Sequence, residues 1–227
     1  MPTEWTEYVA GLRTLRVTVG EPRLSVVMLH GRAMAPESLA PFATSLGMAA
    51  DYFIPEGPVC EGPGHAWWPV DATCRRAMRA QGPRDLHAES PAGASSARAA
   101  LLELLQHVKA QAPDHAVVLI GFSQGGMLAC DALLRDHVRI DGLALLSSCR
   151  ITAAEWEARR KAFHALPVLV SHGRTDAELS FAAGEALRDL CLRGGAAVTW
   201  VPFDGGHEIP LVVWRGIRRL LQELPVD

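Results

Sequence analysis

Apolar and polar positions along this chain follow two different periods. Short continuous apolar runs recur at Leu24–Leu29, Tyr52–Ile54, Val117–Ile120, Gly142–Leu146, Val168–Val170 and Val198–Val201. Between them lie segments with helical spacing at Pro36–Leu46, Ala94–Ala110, Gly125–Leu134, Ala153–Ala165, Phe181–Arg193 and Pro210–Glu223. A run with no polar face suits a strand covered on both sides. Alternation of such runs with amphipathic helices predicts an α/β fold with a mostly parallel sheet and helices on both faces. Leu12–Val19 predicts an antiparallel edge strand. No repeat and no linker divides the chain, so residues 1–227 are expected to form one domain.

One segment breaks the rhythm. Pro55–Pro91 is long, rich in Pro and Gly, and carries His65, Trp67, Trp68 and His87. Loops of that length are usually functional or disordered, and adjacent tryptophans argue against simple disorder. The expectation is a loop or cap-like segment beside the active site, with Trp67 and Trp68 facing substrate. Core packing is the competing reading for both. Met34 is a further candidate contact, against the plainer role of core filler that it shares with Met127.

Composition narrows the function classes. Apolar residues make up 49% of the 227 and charged residues 21%, with a net charge of −3. That balance offers no electrostatic case for binding nucleic acid or an acidic membrane surface. No apolar stretch is long enough to span a bilayer. Glu4 and Glu7 interrupt an N-terminus that lacks the apolar core of a secretory signal, so a cytoplasmic location is expected. The cysteines number five and show no C-x-x-C spacing, which favours free thiols. Cys60 and Cys74 flank one loop and are the pair that could bond. None of the nine histidines has metal-ligand spacing with another, so no metal is expected.

The chemistry centres on Val117–Ala129, which reads V-V-L-I-G-F-S-Q-G-G-M-L-A. An apolar run ends at Gly121, Ser123 follows between Gly121 and Gly125, and a helical pattern begins at once. This is the strand–turn–helix context of a nucleophile elbow. Flanking glycines let strand and helix approach, and the helix presents its positive end to the serine. A serine hydroxyl needs a histidine to take its proton and an acid to fix that histidine's tautomer. Functional residues in open parallel sheets lie past the C-terminal ends of strands. Asp176 and His207 each fall six residues past the runs Val168–Val170 and Val198–Val201. The order Ser123, Asp176, His207 is that of an α/β-hydrolase. Gly205-Gly206 would let the histidine loop turn sharply. Asp71 and Asp204 are rival acids. Asp71 precedes the serine, and Asp204 is too near His207 along the chain. The main-chain N–H groups of Gln124 and of Arg32, in the loop after Leu24–Leu29, are the candidate oxyanion donors. His30 and His172, each before a glycine, read as structural donors to loop backbone.

With these motifs in place the chain resembles the phospholipase/carboxylesterase group of α/β-hydrolases, which includes acyl-protein thioesterases. The resemblance rests on L-H-G at Leu29–Gly31, G-F-S-Q-G-G at Gly121–Gly126, H-G-x-x-D at His172–Asp176, G-G-H at Gly205–His207, and Gly184. W-W-P-V-D at Trp67–Asp71 resembles the family's aromatic-acidic stretch beside the substrate cleft. The resemblance implies Ser123, Asp176 and His207 as the triad and Arg32 and Gln124 as oxyanion donors. Where the family often keeps a second glycine after H-G, this chain has Ala33, followed by Met34.

The function expected is hydrolysis of small-molecule carboxylic esters or thioesters through an acyl-serine, without a cofactor. Lactone or amide cleavage on the same fold is the alternative. A non-catalytic ligand-binding protein is less favoured, since a receptor has no need of all three side chains. A homodimer is left open.

Overall fold

The computed structural model describes residues 2–71 and 82–224. Among them, strands β1 (Thr3–Val9), β2 (Leu12–Val19), β3 (Leu24–Leu29), β4 (Ala50–Pro55), β7 (Ala116–Phe122), β8 (Gly142–Leu146), β9 (Pro167–Gly173) and β10 (Ala197–Phe203) form one sheet. Its order is β1-β2-β4-β3-β7-β8-β9-β10. The pairs from β4 through β10 are parallel, and β1–β2 and β2–β4 are antiparallel. The predicted α/β class with a mostly parallel sheet is what the chain adopts.

The apolar runs account for the two-sided burial. All six residues of β3 are buried. Val27 and Leu29 face one core cluster, while Val26 and Met28 face the other. The helix Ala94–Gln111 buries Ala97, Leu101, Leu104, Leu105 and Val108 against the first. The helix Leu211–Glu223 buries Val213, Ile217, Leu220 and Leu221 against the second. Spacings of three and four put each set on one helical stripe.

Three expectations are corrected. Leu12–Val19 is not an edge strand, because β1 pairs along its whole length from Thr3↔Thr18 to Val9↔Leu12. β1 escapes the sequence pattern because it lies at the rim, with Trp5 and Tyr8 exposed and each preceded by a glutamate, Glu4 and Glu7. The helical segments Pro36–Leu46 and Ala153–Ala165 are each a short α-helix joined to a 3₁₀ turn. Within Pro55–Pro91 lies a small antiparallel hairpin, β5 (Val59–Glu61) with β6 (Gly64–Ala66). Cys60 is exposed on β5; its proposed partner Cys74 lies outside the described residues. Among the described residues no helix is long and apolar enough to cross a membrane.

The chain leaves β3 toward β4 on one side, while β7 enters on the other. This reversal makes a crevice at the C-terminal ends of β3 and β7, where such sheets hold ligands. Behind it, the helix Gln124–Asp136 is anchored by a buried carboxylate. Asp131 accepts from Arg98 Nη1, Arg135 Nε and Trp156 Nε1, each at 2.7 Å. Arg98 also pairs with Asp136, and Arg135 with Glu155. Asp131→Ala removes the charge that two largely buried guanidiniums share. It should cost about 3 kcal/mol, the lower end for a broken buried pair, because each arginine keeps a second partner. Urea unfolding of the variant measures this.

Two buried histidines give the fold an acid-side weakness. Burial pulls the pKa of His30 and of His172 below their ordinary value of 6.5. Below pH 6.5 the unfolded chain therefore binds protons that the folded chain refuses, and stability falls with pH. Denaturant midpoints should drop between pH 7.5 and pH 5, and replacing either histidine with glutamine should reduce that dependence.

Candidate active site

Ser123 sits at the turn between β7 and the helix Gln124–Asp136 with φ 52° and ψ −115°. A non-glycine residue at positive φ is strained, typically by about 1–3 kcal/mol, and persists only when its surroundings enforce it. Here they do. Ser123 N donates to Leu146 O at 2.8 Å, and Ser148 Oγ donates to Ser123 O at 3.0 Å. The glycines have one task, close approach. A Cβ on Gly121 would lie 2.5 Å from Gly125 O, and one on Gly125 would lie 2.3 Å from Leu29 O.

The loops after β9 and β10 bring the other two residues over this turn. The strands are adjacent, with Gly173 opposite Phe203. Arg174 N donates to Phe203 O at 2.9 Å, and Thr175 N to Gly205 O at 3.0 Å. Residues 204–208 bend sharply, as expected, and Gly205 and Gly206 do so without a positive φ. The room they help create is on the other loop: a Cβ on Gly173 would meet Gly206 O at 2.2 Å.

The side chains then form one line. His207 Nε2 lies 2.9 Å from Ser123 Oγ, and His207 Nδ1 lies 2.7 Å from Asp176 Oδ2. An ionised carboxylate only accepts, so Nδ1 carries the hydrogen and Nε2 accepts from the hydroxyl. Asp176 is buried and its Oδ1 accepts from the main-chain N–H of Glu178 at 2.8 Å and Leu179 at 3.0 Å. Burial acts to raise its pKa, but the bonds from His207 and these amides outweigh that, and the carboxyl stays below its ordinary value. The acid bonded to His207 Nδ1 is Asp176 and neither rival. Asp204 is on the surface beside Arg174, and Asp71 lines the same cavity as Ser123 and His207. Two of the cysteines are quenched by burial, which pushes the thiols of Cys149 and Cys191 up to about 12.

His172 and His30 hold loop backbone, as expected. His172 Nε2 lies 3.1 Å from Leu179 O and 3.4 Å from Asp176 Oδ2. Its ring fills the space of a side chain at Gly184, where a Cβ would fall 2.4 Å from Nδ1. That contact is the physical reason for a glycine inside the helix Phe181–Arg193.

Ser123, His207, Arg32 and Gln124 open onto a cavity of about 410 Å³. Trp68, Leu86, Met127, Ile151 and Leu179 supply apolar wall, and Arg84 and Glu178 add charge. Both described parts of Pro55–Pro91 contribute to this lining. Two predicted contacts are not among it. Trp67 is 1% exposed and points into the core, and Met34 packs on the opposite core cluster. Arg32 pairs its guanidinium with Glu61. Gln124 opens its helix, where the first N–H groups lack intrahelical acceptors. Among the described residues no group of three His, Cys, Asp or Glu side chains is placed to hold a metal.

Comparison with known proteins agrees with this architecture. Among solved structures, esterase PE8 superposes with a TM-score of 0.75 at 21% identity, covering 99% of both chains. A carboxylesterase from Mesorhizobium loti gives 0.73 at 18% identity, over 98% of this chain and 99% of that one. Acyl-protein thioesterase 2 of Zea mays gives 0.76 at 18%, over 92% and 97%. At these identities the likeness is one of fold. In sequence, acyl-protein thioesterase 1 of Neurospora crassa is 27% identical over 140 residues, 60% of this chain. That match spans only 57% of the curated relative's length. The sequence profile of the Phospholipase/Carboxylesterase family matches residues 83–223, a stretch that holds Ser123, Asp176 and His207. The chain belongs to the phospholipase/carboxylesterase family of α/β-hydrolases.

Proposed function

We propose that this protein hydrolyses carboxylic esters or thioesters of small molecules through an acyl-serine intermediate. The observation that supports it is the unbroken line from Asp176 through His207 to Ser123, at 2.7 and 2.9 Å, facing an apolar cavity. Ser123 Oγ attacks the acyl carbon as His207 Nε2 takes its proton. The carbonyl π electrons move onto oxygen, and that oxyanion accepts from the main-chain N–H groups of Gln124 and Arg32. Collapse breaks the bond to the leaving group, which takes the proton from His207. Water then repeats the sequence on the acyl-serine and releases the acid. Asp176 stays ionised throughout, holding the tautomer and stabilising the imidazolium.

Two measurements test the roles. Ser123→Ala should lower hydrolysis of p-nitrophenyl acetate by about 10⁴–10⁶-fold and abolish labelling by a fluorophosphonate. Persistent labelling would remove Ser123 from the role. Asp176→Asn should cut turnover by about 10⁴-fold with folding intact, because the imidazole loses its tautomer. Asp204→Asn, on the surface, should stay near the parent rate; a larger loss there would reassign the acid. A panel of esters, thioesters, lactones and amides, read by turnover, separates the proposed bond class from the alternatives.

A further inference from the structure

The two proposed oxyanion donors come from different segments, so something must set the distance between them. Gln124 N belongs to the elbow, while Arg32 N belongs to the loop after β3. That loop is under backbone strain of its own, since Ala33 has φ 60°. A buried circuit of hydrogen bonds joins the two. The side chain of Gln124 clamps the chain at the tryptophans: Trp67 N donates to Oε1 at 2.9 Å, and Nε2 donates to Trp68 O at 3.0 Å. The indole of Trp67 turns the other way, and its Nε1 donates to His30 O at 2.8 Å. Its ring stacks on the His30 imidazole with centroids 5.0 Å apart. His30 accepts from Gly57 N on Nε2, so its Nδ1 carries the hydrogen and donates to Gly31 O at 2.7 Å. Gly31 precedes Arg32.

We infer that the indole N–H of Trp67 and the side-chain amide of Gln124 hold the two halves of the oxyanion hole at their working separation. Trp67 is then a positioning residue and not part of the substrate wall. The inference rests on the serine-hydrolase reading above. Oxyanion donors act only when they lie about 2.7–3.1 Å from where the charge develops. A displacement of about 1 Å can cost 10²-fold in rate. Trp67 is 1% exposed, Gln124 4% and His30 fully buried, so water does not replace a lost bond easily.

The test is Trp67→Phe, which keeps a ring over His30 and deletes the N–H. It should lower kcat by about 10–100-fold, equally for acetyl and longer p-nitrophenyl esters, with KM unchanged. The Ki of an alkyl trifluoromethyl ketone, whose serine adduct carries an oxyanion, should rise by the same factor. Gln124→Met keeps the main-chain donor, removes both side-chain bonds, and should give the same pattern from the other end. If Trp67→Phe does not fold, Gln124→Met decides. A lower melting temperature with unchanged kcat would overturn the inference, because that is what core packing alone predicts. A KM change that varies with chain length would also overturn it. Ser123→Ala separates the two proposals. If it retains hydrolysis, the serine reading fails and this inference with it. If it is inactive while Trp67→Phe keeps the parent kcat and Ki, only this inference falls.

Discussion

The contact on which the rest of the site depends is main chain against main chain, where the start of the helix Gln124–Asp136 meets the end of β3. Gly125 lies so close to Leu29 O and His30 O that a Cβ would fall within 2.7 Å of both. No side chain could be tolerated there without separating helix from strand. The same closeness forces the tight turn that gives Ser123 its positive φ, and it sets the elbow beside the loop that carries Arg32. The strain at Ser123 is offset locally by the bond that its N–H donates to Leu146 O and the one that Ser148 Oγ donates to its carbonyl. The geometry around the serine is therefore a property of three segments at once and not of the turn alone.

The second half of the site follows from two adjacent parallel strands. Because β9 and β10 pair in register as far as Gly173 and Phe203, their loops leave the sheet side by side. Gly173 admits the carbonyls of Gly205 and Gly206, and the threonine hydroxyl of Thr175 adds a bond to Gly205 O at 3.0 Å. Asp176 is then held at both oxygens, one by amides and one by His207. A carboxylate so fully hydrogen-bonded resists the desolvation that burial imposes. His172 and Gly184 support it from below, the glycine leaving room for the ring that contacts Leu179 O.

The hairpin β5–β6 stiffens the loop on the far side of the crevice. His65 N donates to Met34 O at 2.8 Å, and Gly64 lies against Ala33, where a Cβ would come within 2.7 Å. Arg32 reaches the same hairpin through Glu61. The absence of a glycine at Ala33 is thus met by external bracing of a left-handed alanine. This is a different solution from the conformational freedom a glycine would bring.

Much of this was legible in the residues themselves. β3 and β8 match their predicted runs end to end, because strands covered on both faces are nearly continuous in apolar residues; the one polar side chain, Ser25 in β3, is hydrogen-bonded to His115. Glycine punctuation and distance past strands, both local properties, point to Ser123, Asp176 and His207. β1 was not legible, since a rim strand with exposed Trp5 and Tyr8 has no buried face to enforce a pattern. The destinations of the adjacent tryptophans were also hidden. An indole is apolar with one donor whether it faces substrate or core, so sequence cannot separate Trp67 from Trp68. Tertiary structure buries both in one core cluster, bonds the indole of Trp67 to His30 O and leaves only Trp68 on the cavity lining. The sequence by itself determined the core strands, the turn and the identity of the side chains proposed to react, because these depend on neighbours along the chain. Which of them meet, at what distance and around which cavity depended on contacts between segments far apart in sequence, and only the packed fold decides those.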